Sequence, residues 1–302
     1  MDIREHKKNI RLIFLSLFVF LLIGVVLIRV ILRAFDISVN DIALVINLVA
    51  YYAICMPIFM AMTKHIGTGK ADIEAGGSMN NAELFKWICI AMGVVYVSNF
   101  ISLSVVEIVN SIKNVQKESS DIMNILKSTS LEMQLILIGI TAPILEEFFF
   151  RRFLYSKLSM YGDKIYILMS ATCFSLTHLR LEQFLYTFLT GAVLAYTYAK
   201  HRKLLYVTIM HIFINSSSVI TQLALGNRIM LSVWASALFA MAIYGIVSLI
   251  KLLLKRQLVF NAPKYDLDGT SAFKLVYTSL GFWVLLTGAI VYSLLINYGI
   301  IK

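Results

Sequence analysis

The run Gln134-Leu-Ile-Leu-Ile-Gly-Ile-Thr-Ala-Pro143-Ile-Leu-Glu146-Glu147-Phe-Phe-Phe-Arg151 decides how this chain is read. It is apolar enough to lie in a bilayer, yet it carries two adjacent carboxylic acids. An ionisable side chain at mid-span costs about 3 kcal/mol on insertion scales, so a pair of them marks a site. Glu147 and Arg151 are four residues apart on one helix face and can pair. Glu146 points ~100° round the axis from Glu147. One acid is then free for chemistry while its neighbour is held. Phe148, Phe149 and Phe150 offer a dry aromatic wall. Pro143, one turn earlier, bends the helix and frees a carbonyl.

Around this run the chain is built for lipid. Of its 302 residues, 59% are hydrophobic and 15% charged, and the mean hydropathy is +0.81. No soluble globule has this composition, so the expected fold is all-α and polytopic. Three prolines suit long helices, and no alternation of polarity suggests a membrane barrel. The three cysteines, Cys55, Cys89 and Cys173, lie in apolar runs without Cys-x-x-Cys spacing, and read as buried thiols. The net charge of +10 reads as topology rather than nucleic-acid binding.

Nine apolar runs follow one another: 12–32, 42–62, 84–109, 131–154, 165–177, 184–199, 204–225, 231–254 and 273–298. Most reach the ~20 residues that cross ~30 Å of hydrocarbon. The fifth and sixth are short and need flanking residues or a protein-lined setting. Eight or nine transmembrane helices are therefore expected, with the polar site inside the bundle. Starting in the cytoplasm and alternating places 19 of the 27 Lys and Arg on the cytoplasmic side. The first run has no cleavage site and reads as a retained anchor. We divide the chain into N-terminal membrane helices (1–130), a core (131–225) and C-terminal membrane helices (226–302). The polar loop 110–129 suits a short surface helix. The loops 64–83 and 256–272 leave no room for a soluble domain. No phosphate-binding glycine loop or basic-aromatic nucleic-acid patch occurs.

Few other ionisable groups sit in the apolar runs. Away from the span ends they are His178, at the close of the fifth run, and His211 on the seventh, with the neutral Asn215 one turn after His211. At 1.5 Å per residue, Glu146, His178 and His211 lie about 16, 21 and 12 Å from the cytoplasmic face. All three can meet in the middle of the bilayer. A lone intramembrane His is more often a core residue than a ligand, and a His–Asn pair can be interhelical glue. That bland explanation must hold separately on three runs at matching depth. The set suits hydrolysis. A carboxylate in low dielectric makes a competent base near neutral pH. Glu146 would draw a proton from a water also held by His178, and His211 and Asn215 would donate to the oxyanion. A second version puts zinc on Glu146, His178 and His211. It lacks His-Glu-x-x-His spacing, so no cofactor is the first expectation. Neither Ser175 nor 216–218 has nucleophile spacing.

Three motifs carry a resemblance. Glu146-Glu147-Phe-Phe-Phe-Arg151, Phe174-Ser-Leu-Thr-His178 and His211-Ile-Phe-Ile-Asn215 resemble the Glu-Glu-x-x-x-Arg, Phe-x-x-x-His and His-x-x-x-Asn signatures of the CPBP family. These are the CAAX proteases and bacteriocin-processing or immunity proteins. Each motif alone is weak; all three in order on separate runs are specific. The resemblance covers about residues 131–220. It implies an intramembrane endopeptidase with Glu146 as water-activating base, His178 assisting, Glu147 and Arg151 supporting, and His211 and Asn215 as oxyanion hole. The implied partners are the lipid bilayer and a peptide or membrane-protein substrate. A compact, loop-poor chain suggests a bacterial plasma membrane. The alternatives are a non-catalytic bacteriocin-immunity protein and, below it, a transporter, for which no internal repeat speaks.

Overall fold

The computed structural model describes residues 3–37, 41–67, 76–113, 128–263 and 272–297. Among them no strand occurs, and the chain is an all-α polytopic membrane protein. The helices are α1 (Ile3–Ala34), α2 (Asp41–Met62), α3 (Asn81–Lys113), α4 (Leu131–Tyr161), α5 (Asp163–Thr177), α6 (Leu181–His201), α7 (Leu204–Ala224), α8 (Arg228–Leu254), α9 (Ala272–Tyr277) and α10 (Leu280–Asn297). Six of them, α1, α2, α3, α4, α7 and α8, are long and apolar enough to cross a membrane. The first eight apolar runs match α1 to α8 to within four residues at each end, except that α1 starts nine residues earlier and α4 ends seven later.

The ninth run departs from its expected form. It breaks at Thr278–Ser279 into α9 and α10. Thr278 turns its hydroxyl back to the Lys274 carbonyl, and the Trp283 indole N–H caps the Tyr277 carbonyl. Local side-chain donors thus replace the ladder there. The surface helix expected in 110–129 falls mainly on 114–127, outside the described residues.

The short fifth run becomes α5, which at ~1.5 Å per residue is too short for ~30 Å of hydrocarbon. It has no need to span alone. Met169, Ser170, Ala171 and Cys173 are all fully buried among neighbouring helices. The sixth run gains flanking residues and reaches 21 as α6.

Packing is built on close approach and aromatic contact. The α-carbon of Gly245 on α8 sits against the backbone of α3: a Cβ there would stand 1.8 Å from the Cys89 carbonyl oxygen. Small residues permit such contacts between membrane helices, where dispersion drives association. Nearer the centre, Phe149 stacks on Phe20 of α1 at 5.3 Å and meets Phe59 of α2 edge-on at 4.9 Å. Phe149 and Phe150 are buried as the wall the sequence suggested, but Phe148 is 37% exposed. Successive residues splay round a helix, so three in a row cannot share one face.

Two helices are wound unusually. α2 contains a π-helical segment, Val49–Cys55, and α4 contains Gln134–Thr141. Each is followed two residues later by a proline, Pro57 and Pro143. In α4 the π pattern carries the Ala142 N–H to the Leu137 carbonyl. The next bond in that pattern would join residue 143 to Ile138, and Pro143 has no N–H to give. The Ile138 carbonyl is therefore released. α7 supplies its partner: Asn215 Nδ2 donates to Ile138 O at 3.0 Å, and the next residue, Ser216, donates from Oγ to Gly139 O at 3.3 Å. Gly139 itself lets α7 come this close, since a Cβ would lie 2.9 Å from Ser216 Oγ.

Candidate active site

The three motif helices, α4, α5 and α7, bring their polar residues together. Glu147 and Arg151 form the expected i,i+4 pair. Glu147 Oε2 lies 3.0 Å from Arg151 Nε, both side chains fully buried. It is an ion contact rather than an aligned hydrogen bond. Arg151 is anchored further by donating from Nη1 to Ser170 Oγ at 3.1 Å, and Ser170 in turn donates to the Phe150 carbonyl at 2.9 Å. The guanidinium also lies 5.0 Å over the Phe174 ring. A buried charge survives only with such compensation.

Phe174 is the packing hub. Its ring meets His178 and His211 edge-on, at 4.9 and 5.6 Å. One face takes Arg151 and the edges take the imidazoles, so one residue spaces three polar groups. His178 sits at the C-terminal cap of α5, with Nδ1 2.8 Å from the Phe174 carbonyl. A carbonyl can only accept, so Nδ1 carries the proton there and Nε2 keeps a lone pair.

His211 turns toward the two acids. Its Nδ1 lies 2.8 Å from Glu147 Oε1, and its Nε2 lies 3.5 Å from Glu146 Oε2. It bridges the two acids. Arg151, Glu147, His211 and Glu146 thus form one connected chain of polar contacts running from the dry interior outward.

The outer end of that chain opens on a cavity of about 240 Å³. Glu146, His178 and Asn215 line it; Glu147, Arg151 and His211 stand behind. Its other walls are Leu137, Ile138, Ala142, Phe150 and Thr177 from the motif helices, and Phe20, Leu44, Asn47, Leu48, Tyr51 and Tyr52 from α1 and α2. Sequence reasoning missed the α2 contribution. The signal was an amide and two phenols at Asn47, Tyr51 and Tyr52 in an otherwise apolar run, with Asn47 and Tyr51 one turn apart. The Tyr52 hydroxyl lies near the Glu146 carboxylate.

Among the described residues no three His, Cys, Asp or Glu side chains converge as metal ligands. Both ring nitrogens of His211 face carboxylates, whereas His178 holds Nδ1 on a carbonyl and keeps the Nε2 lone pair.

Fold and site together define a class: a polytopic membrane protein with an acid–histidine cluster opening on an internal cavity. Residues 129–217, from the start of α4 into α7, match the family described as type II CAAX prenyl endopeptidase Rce1-like. That segment is therefore similar to the CAAX-protease (CPBP) family that its three motifs resemble. No curated protein and no solved structure matches the chain.

Proposed function

We propose that this protein hydrolyses a peptide bond of a membrane-associated protein or peptide by glutamate-activated water, without a metal. The single observation carrying this reading is that Glu146, His178 and Asn215 line one cavity while Glu147 is held behind by Arg151 and His211. Glu146 is the base. It takes a proton from a water that also donates to the His178 Nε2 lone pair. The hydroxide attacks the scissile carbonyl, and the negative charge moves to that oxygen. Asn215 has one N–H committed to Ile138 and a second available to the oxyanion. Collapse breaks the C–N bond, and Glu146 returns its proton to the leaving amine. His211 and the Glu147–Arg151 pair hold the base in register without touching substrate.

A positioned general base contributes about 10²–10⁴-fold. Replacing Glu146 with Gln keeps shape and removes basicity. Turnover of an internally quenched, lipid-anchored reporter peptide should fall by that factor, with the protein still folded in the membrane. A Glu146→Gln variant as fast as the parent would rule the mechanism out.

A further inference from the structure

The proposed reaction leaves its oxyanion poorly served. Such sites offer preorganised donors to the developing charge, and this is usually their largest contribution. His211 turns both ring nitrogens to carboxylates. Asn215 spends one of its two N–H groups on the carbonyl that Pro143 releases. From α2, however, Tyr52 lines the same cavity as Glu146, His178 and Asn215. Its hydroxyl lies near the Glu146 carboxylate, and toward an ionised carboxylate a phenol can only donate.

We infer that Tyr52 is a further catalytic residue, a phenol that holds the base in the resting site and donates to the oxyanion once the base is protonated. The inference rests on the reading of Glu146 as general base. The argument is one of charge. At rest the negative charge is on Glu146, and hydrogen bonds to ionised acceptors are roughly twice as strong as neutral ones. When Glu146 takes the proton of water, the charge passes through hydroxide to the carbonyl oxygen. The carboxylic acid is then the weaker acceptor and the oxyanion the stronger. The single O–H of Tyr52 follows the charge across the cavity and returns when Glu146 gives up its proton. No proton leaves Tyr52, and the atoms balance as before.

Tyr52 lies outside the three motifs and outside residues 129–217, on the π-helical segment Val49–Cys55. A π turn shifts the side-chain register relative to an α-helix and recurs at functional positions. Here it places Tyr51 and Tyr52 together on the cavity wall.

The test is Tyr52→Phe in the full chain, assayed in lipid vesicles on two quenched probes, a farnesylated CAAX peptide and a single-span helical peptide. We expect kcat to fall about 10²–10³-fold with KM within threefold of the parent. A kcat within threefold of the parent, or a change confined to KM, overturns the assignment. Fluorotyrosines at position 52 guard against a folding defect, because they keep ring and hydroxyl. Assayed below the pKa of each phenol, kcat should track phenol acidity; a flat series overturns the assignment as well. Glu146→Gln separates the two levels. Undiminished turnover by it, or no turnover of either probe by the parent, sinks the proteolytic reading itself. An inactive Glu146→Gln beside a fully active Tyr52→Phe sinks only Tyr52.

Discussion

Arg151 is worth more to the fold than an ordinary ion pair because it is the permanently charged partner of Glu147 in the dry interior. Removing one partner of a buried pair typically costs 3–5 kcal/mol, since the other is left as an unpaired charge. Arg151→Ala should therefore lower unfolding stability in detergent by about that amount. Glu147→Leu combined with Arg151→Met should cost less than either single change, and a double-mutant cycle of unfolding free energies checks this. The pair was legible because a four-residue spacing on one helix is a local property. His211 was legible as a site residue, but its direction was not. That depends on where α4 and α7 touch, and no spacing within either motif encodes it. Tyr52 was hidden for a different reason. A phenol in an apolar run looks like packing until the group at its tip is known.

The π turns are where local sequence meets interhelical contact. Pro143 opens a gap in α4, and Asn215 fills it from α7. An alanine at 143 would restore an N–H able to serve the Ile138 carbonyl. In the parent, Asn215→Ala should cost about 1–3 kcal/mol, the usual consequence of stranding a buried acceptor. In a Pro143→Ala background that cost should shrink, while the loss of turnover should persist if Asn215 also serves the oxyanion. Unfolding and kinetics of the four variants decide it. An unchanged stability cost in both backgrounds would mean that Asn215 does not repair the proline gap. The expectation that Pro143 frees a carbonyl came from proline chemistry alone. Which residue collects that carbonyl could not, because the partner lies 77 residues away.

Across the whole molecule, the hydrophobic runs were readable because apolar length is set by bilayer thickness, which every span shares. The break between α9 and α10 was not, because Thr278 and Ser279 are too few to interrupt a hydropathy window. Helix order was also readable, but neighbourhood was not: α8 packs on α3 by way of Gly245, far away in sequence. Gly245→Val would drive a side chain into the α3 backbone, where no rotamer can yield. It should cost at least the roughly 1–3 kcal/mol of an overpacked core, seen as a lower melting temperature in detergent. The same interleaving governs the cavity. One wall comes from the segment shared with the CAAX-protease family, and the facing wall from α1 and α2, which the family match does not reach. An inhibitor filling it would draw potency from Glu146 and His178 and selectivity from Leu44, Asn47 and Tyr51. Medicinal chemistry aimed at the acid–histidine side alone would address only what the family match covers, whereas substituents grown toward α2 would reach residues outside it.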